Sequence, residues 1–513
     1  MDDHHMDRDT SQHGDHGASD PRLGGQWQLI DAEFKGAATH VALLPTNRIL
    51  AFGGSAFDRE LLKQPLPPEI LDLETLTVRT LSTDVIRSDL FCCGHTFLED
   101  GTLLVAGGTS AYEPWWHPFP AGHHEAYIFD PVTEAWRRLL DMRVGRWYPT
   151  LIRLADDAVL VIAGLRQRFP WCILQRLQEV YRSGQGWDRM RQKKWFPLYP
   201  RLHLLPDGNV FYSGVFNVHF EFPIAFPSAR WSHRTQTWTK LGGKHLDPQR
   251  EDGISLLLPL RPPHYPPRVL IAGGGHKRHK TAQATAERID LSAPDPRWSS
   301  AGTMGFARIY ANGILLPDGK VLVVGGKTGE TGHPHGPPTA PQAPGGDPHA
   351  VHAAELYDPD TNTWTPLAAQ TRDRIYHSTA LLLPDGRVIS MGGNPRPKVI
   401  EHSIEIYSPP YLFRGERPVL TTVPEHVGYG RPFTVTVDRA RQIGQVVIMR
   451  PEVLTHQANT DQRLLEVTFK VLGDDKLEVQ APASPAHMPP GYALLFVLND
   501  ADVPSVGRFI RVG

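Results

Sequence analysis

Apolar positions along this chain fall in short runs, not in long helical stripes. An apolar residue or two, a Pro-Asp-Gly-type turn, a run of β-branched or aliphatic residues and a pair of small residues recur seven times. The copies span Leu43 to Gly54, Phe97 to Gly108, Arg153 to Gly164, Leu204 to Gly214, Leu257 to Gly274, Leu315 to Gly326 and Leu382 to Gly393. The best formed read LLPDGKVLVVGG and LLPDGRVISMGG. Asp-Gly supplies the positive φ of a tight hairpin turn, and the aliphatic run after it makes an inner strand. The closing small pair lets backbones crowd together. An acidic or aromatic strand follows each copy, often ending in Trp, as in Ala126 to Trp136 and Glu355 to Trp364. A four-stranded unit repeating every ~50 residues is the kelch-type propeller blade.

The pattern therefore predicts an all-β chain: a seven-bladed kelch-type β-propeller over residues 26–415. Blades three and five are degraded, by Arg166 to Met190 without clean turn signals and by the proline loop Arg261 to Pro267. Thr328 to Pro348 reads as a long Pro/Gly/His insertion able to overhang a face. Residues 416–513 lose the repeat and show alternating strands, Phe433 to Val437, Gln445 to Met449 and Leu494 to Leu498, which fit an immunoglobulin-like sandwich. Residues 1–25, rich in Asp, His, Gly and Ser, read as a disordered lead without the apolar core of a secretory signal; His4, His5, His13 and His16 belong to it.

Composition narrows the partners. The formal net charge of −2 and the lack of a basic run argue against nucleic acid. No stretch approaches the ~20 apolar residues of a membrane-spanning helix. A monomer is expected. With three cysteines, Cys92, Cys93 and Cys172, a disulfide scaffold is excluded, which leaves room for a cysteine with a chemical role.

Tyr376-His377 stands where the seventh repeat begins. Neighbours at a strand end both reach an axial metal if a bulge breaks the pleat. Imidazole suits copper, iron or zinc, and phenolate suits an oxidising metal. Taken alone, such a pair is more simply a packed Tyr and a turn-capping His. Three further motifs change that balance: Asp89-Leu-Phe-Cys92-Cys93-Gly94, Arg146-Trp147-Tyr148-Pro149 and Thr455-His456-Gln-Ala-Asn459.

With these four motifs in order, the chain resembles the galactose oxidase and glyoxal oxidase family of copper-radical oxidases from about residue 30 to the C-terminus. The resemblance implies one copper ion held by Tyr148, Tyr376, His377 and His456. It also implies a Cys92–Tyr148 thioether that stores a radical, with Tyr376 as general base. The implied reaction takes a primary alcohol or aldehyde and O2 to the carbonyl or acid product and H2O2. The implied C-terminal unit is the family's early-set domain. The Phe-Cys order and the following glycine favour Cys92 over Cys93 as cross-link partner. The galactose branch's extra N-terminal sandwich and its cysteines are missing, so a glyoxal or simple-alcohol oxidase is the better match. Family members are generally exported, although the chain shows no signal segment.

Trp115, Trp116 and Trp195 are the candidates for an aromatic shield over Tyr148, with Trp147 expected to point away. Arg308 is read either as a pocket guanidinium or as a packing ion pair. The rival functional reading is a non-catalytic kelch propeller that binds a glycan or a protein.

Overall fold

The computed structural model describes residues 20–513 apart from 57, 59, 112–120, 169–170, 191, 218–226, 242, 244, 248–249, 277–280, 330–345 and 396–398. The His-rich tract and most of the Thr328–Pro348 insertion lie outside the described residues.

The seven sequence repeats correspond one to one with seven sheets that share one strand order. In the sixth, Asn312–Leu315, Val321–Val324, Ala353–Asp358 and Thr363–Ala369 pair as consecutive antiparallel neighbours. The degraded third repeat still makes its sheet, from Trp147–Arg153, Val159–Arg168, Glu179–Arg182 and Gly186–Arg189, with Trp171–Leu174 added beside the second strand. The seventh sheet is completed from the other end of the chain. Gln26–Glu33 pairs with Ser403–Ser408 as its outer strand. A pairing across nearly the whole domain closes the ring without a covalent link. Residues 20–25 take part in this closure: Asp20 caps the short helix Pro21–Gly24, and Tyr407 donates to the Gly24 carbonyl at 2.6 Å.

The ring is tied by a device that repeats. Arg146, Arg250, Arg308 and Arg374 are fully buried. They form ion pairs with Glu179, Glu287, Glu355 and Glu405 respectively. Each also donates to the carbonyl of the first residue of its own blade's small pair: Ala163, Gly273, Gly325 and Gly392. The Arg308 carbonyl in turn accepts Gly274 N–H at 2.9 Å, and the Arg374 carbonyl accepts Gly326 N–H at 2.6 Å. A Cβ on Gly325 would lie 2.3 Å from the Arg374 carbonyl oxygen, so the small pair is where adjacent blades touch. Arg308 is thus a packing residue, which settles its two sequence readings in favour of the ion pair.

The C-terminal strands form two sheets, one of Leu420–Thr422, Phe433–Val437, Lys476–Val479 and Phe469–Val471, the other of His426–Val427, Arg508–Val512, Gly491–Asn499, Ile443–Met449 and Leu464–Val467. Val435, Val446, Ile448, Leu477 and Val497 fill the space between them. One more strand, Val453–Thr455, leaves this unit and pairs with the inner strand His40–Leu44 of the first propeller sheet. The hairpin that follows it reaches into the ring. Among the described residues no helix is long and apolar enough to cross a membrane.

Candidate metal centre

Four separated segments bring the sequence-predicted residues together. Cys92, Tyr148 and His377 carry φ values of 63°, 64° and 67°, and His456 one of 47°. Left-handed φ is costly for a residue with a Cβ, so each is held by its surroundings. At Tyr148 and His377 the twist cancels the up-down alternation of a strand and turns a side chain toward the axis. Tyr148 N–H donates to the Cys92 carbonyl at 2.9 Å, which locks these two residues side by side.

The Tyr148 hydroxyl lies 2.5 Å from the Tyr376 hydroxyl and 2.9 Å from His456 Nε2. Cys92 Sγ is 4.0 Å from the same His456 nitrogen. The His377 and His456 rings meet edge to face at 4.6 Å, and the His377 ring packs on that of Tyr376 at 3.8 Å. Cys92, Tyr148, His377 and His456 are buried, while Tyr376 keeps some exposure.

Second contacts orient both imidazoles, and at His377 they fix the tautomer. Asn394 Nδ2 donates to the Val399 carbonyl at 2.8 Å, so its Oδ1 is the atom that accepts the proton of His377 Nδ1. The Thr455 hydroxyl sits 2.7 Å from His456 Nδ1. In the tautomer with Nδ1 donating to the Thr455 oxygen, Nε2 of His456 presents its lone pair to Tyr148, the form that metal coordination requires. Arg201 donates to the His456 carbonyl at 2.7 Å and so anchors the hairpin from the fourth blade.

Burial pushes the Tyr148 phenol well above its ordinary range, with Cys92 and Tyr376 adding to the effect. The Tyr376 phenol is raised for the same first reason, with Cys92 and Asp252 contributing. The Cys92 thiol is raised by burial as well. Two phenols 2.5 Å apart in a desolvated site therefore keep their protons unless a cation compensates the charge. Two phenol oxygens and two neutral imidazole nitrogens form a donor set that suits a tetragonal Cu(II) ion, so these residues fit the metal the resemblance implies.

The expectation for the aromatic shield is corrected. Trp147 does not point away: its ring stacks on Tyr148 at 3.8 Å and an interplanar angle of 11°. Positive φ at Tyr148 folds the phenol under the preceding indole. Trp195 is 40% exposed, and Trp115 and Trp116 lie outside the described residues. Tyr199 covers another side of Tyr148, with ring centroids 4.4 Å apart. Sequence reading also passed over Asn394 and Thr455. Asn394 directly follows the seventh repeat's glycine pair, and Thr455 directly precedes His456. Asp252 and Tyr310 were missed too. Both hold the position two residues after a buried ring arginine, as Tyr148 and Tyr376 do, and the Tyr310 ring lies 4.9 Å from that of Tyr376.

A β-propeller that gathers two tyrosines, a histidine and a cysteine against a second histidine on a hairpin from a sandwich unit has the architecture of a metal oxidase. Residues 69–411 match the family model for the glyoxal oxidase N-terminus, and residues 417–512 match that for the galactose oxidase-like early set domain. The chain belongs to the glyoxal oxidase family. It is 27% identical to aldehyde oxidase GLOX of Vitis pseudoreticulata, with 96% of this chain and 97% of that protein covered. It is 26% identical to galactose oxidase of Gibberella zeae, with 96% and 71% covered. Among solved structures, a fungal alcohol oxidase of the AA5 family in complex with copper superposes with a TM-score of 0.78. That match is 24% identical and covers 95% of this chain and 99% of the other, a likeness of fold.

Proposed function

We propose that this protein is a copper-radical oxidase that converts a primary alcohol or hydrated aldehyde and O2 to the aldehyde or acid and H2O2. One observation carries the reading. Tyr148, Tyr376 and His456, from three distant segments, converge through contacts of 2.5 and 2.9 Å in a buried site that also holds Cys92 and His377. Tyr148, Tyr376, His377 and His456 would hold the metal. When bound, copper supplies a one-electron acceptor and an open position for the substrate oxygen.

The chain's own groups do the rest. Tyr376, the tyrosine with residual exposure, takes the hydroxyl proton at its Oη. Tyr148, joined through a ring carbon to Cys92 Sγ, has its phenol made easier to oxidise and takes a hydrogen atom from the substrate carbon. Trp147 keeps water off the Tyr148 ring, while Asn394 and Thr455 hold the imidazoles in the tautomers that coordination needs. The substrate loses two electrons and two protons, and O2 gains both as H2O2. The match to the glyoxal oxidase model and the near-complete coverage of an aldehyde oxidase relative support small aldehydes and simple alcohols over galactose.

The test is peroxide release by copper-loaded protein on glyoxal, methylglyoxal, glycerol and galactose, alongside peptide mass spectrometry. Turnover of a small aldehyde by a protein carrying a Cys92–Tyr148 peptide two hydrogens lighter supports the reading. Full copper loading without that peptide and without peroxide refutes it.

A further inference from the structure

Cys92 and Cys93 are adjacent, both buried, and both near the centre, yet the proposed cofactor needs only one of them. His40 treats the two differently. Its Nε2 accepts the backbone N–H of Cys92 at 3.0 Å, and its Nδ1 lies 3.7 Å from Cys93 Sγ. The ring has little freedom to do otherwise. It stacks on Phe52 at 4.9 Å and 6°, and the rings of His95 and His456 meet it edge-on at 5.3 and 5.9 Å. Its backbone partner across the sheet is Thr455, the residue before His456.

The tautomer follows from these contacts. A backbone amide only donates, so His40 Nε2 must present a lone pair, and the proton of the neutral ring sits on Nδ1, toward the Cys93 sulfur. His40, Cys93 and His95 place three donor atoms within 4.8 Å of one another, which resembles a soft-metal site. A metal on His40 Nδ1 would leave the ring an imidazolate, because Nε2 is already an acceptor. The cluster is therefore better read as a hydrogen-bonding device.

Cys92 is held at φ 63°, with its N–H taken by His40 and its carbonyl taken by Tyr148 N–H. Both handles on its backbone are occupied, and its side chain belongs to the buried cluster that holds Tyr148, Trp147 and Tyr199. Cys93 packs instead with Phe52, Leu90 and Val105.

We propose that His40 is a positioning residue for cofactor assembly. By accepting the Cys92 amide and donating to the Cys93 thiol, it presents Cys92 alone to the Tyr148 ring. This rests on the copper-radical reading above. The assembly step removes the Cys92 S–H hydrogen and one ring hydrogen ortho to the Tyr148 hydroxyl, forms the S–C bond, and passes two electrons and two protons to O2 as H2O2.

The experiment follows cross-link formation, not turnover. Copper-free wild type, His40→Gln, His40→Asn and His40→Phe are mixed with copper in air, and the peptide lighter by two hydrogens is timed by mass spectrometry. The Gln side chain places an acceptor where Nε2 was, so His40→Gln should cross-link at close to the wild-type rate. Asn is too short to reach the amide and Phe has no acceptor, so both should be slower by about tenfold, the effect of losing one hydrogen bond. Equal rates for all four proteins overturn the proposal, as does a His40→Gln variant that folds yet is as slow as His40→Asn. A copper-loaded wild type that forms no cross-link sinks the oxidase reading itself and this step with it. Neutron diffraction of the wild type is a check independent of variant folding: a proton on His40 Nδ1 supports the assignment, and one on Nε2 overturns it.

Discussion

Replacing Glu452 with glutamine should change the pH dependence of stability in a direction that its burial and hydrogen bonds set. Glu452 is 2% exposed at the root of the His456 hairpin. One carboxyl oxygen accepts Leu382 N–H of the seventh blade at 2.9 Å, and the other accepts from the Gln462 amide. Its own carbonyl accepts Leu43 N–H of the first blade at 3.0 Å. Burial raises the carboxyl from 4.5 to about 7, against the lowering effect of its hydrogen bonds to Gln462, Leu382 and Asn459. The folded protein thus holds a proton that the unfolded chain releases near pH 4.5. Stability from this group is fully present below that pH and is lost as pH rises through about 7, a total of about 3 kcal/mol.

Glutamine does not titrate. Its amide nitrogen, however, would face a donor unless Gln462 turns over and gives up its 3.2 Å bond to the Gly313 carbonyl. Copper-free Glu452→Gln should therefore be about 1 kcal/mol less stable than wild type near pH 4.5 and about 2 kcal/mol more stable near pH 8. The assay is thermal unfolding of both proteins across that range. Infrared spectroscopy of the neutral carboxyl band, absent in the variant, gives the midpoint directly. A melting-temperature difference that stays constant from pH 4.5 to 8 would refute the argument, and so would a carboxyl band already gone at pH 5.5.

Three other perturbations test the centre and the ring. Trp147→Phe keeps an aromatic over Tyr148 but covers less of it, so the radical's optical signal should decay several-fold faster while the cross-linked peptide persists. Asn394→Ala frees the His377 tautomer and should weaken copper binding by about 10- to 100-fold in a chelator competition. Glu179→Ala strands the buried Arg146 charge two residues from Tyr148. It should cost about 3–5 kcal/mol in urea unfolding, whereas the exposed pair Arg441–Asp474 should tolerate Asp474→Ala with less than about 1 kcal/mol lost.

What the sequence made legible was whatever local chemistry repeats. Pro-Asp-Gly turns and aliphatic runs marked the inner hairpins, and each marked run became a sheet. The outer strand Gln26–Glu33 was not legible as part of the seventh blade, because its partner, Ser403–Ser408, lies almost four hundred residues away and neither carries a turn signal. The buried arginines were legible in principle. Arg146, Arg250, Arg308 and Arg374 each stand two positions before Tyr148, Asp252, Tyr310 and Tyr376, yet a single arginine ahead of a strand reads as surface charge until its Glu partner is seen.

The misreading of Trp147 exposes the rule behind the whole centre. Alternation in a strand puts neighbours on opposite faces, so a ligand at Tyr148 seemed to send Trp147 away. At Tyr376-His377 the same alternation had to be broken for both residues to reach the axis, and positive φ at His377 breaks it. The φ of 64° at Tyr148 breaks it there as well, and the consequence is a shield supplied by the residue next to the one it protects. Cys92 completes the set at 63°. Three blades thus bend at their inner-strand entrances, each in a conformation that its side chain disfavours. The hairpin from the C-terminal unit meets all three, through Cys92 Sγ, the Tyr148 hydroxyl and the His377 ring, and is itself held by Thr96, Arg201 and Leu382 of the propeller. That makes the sandwich a structural part of the centre. Glu452 adds to that anchoring at the hairpin's root, tying it to the first blade through Leu43 N–H and to the seventh through Leu382 N–H.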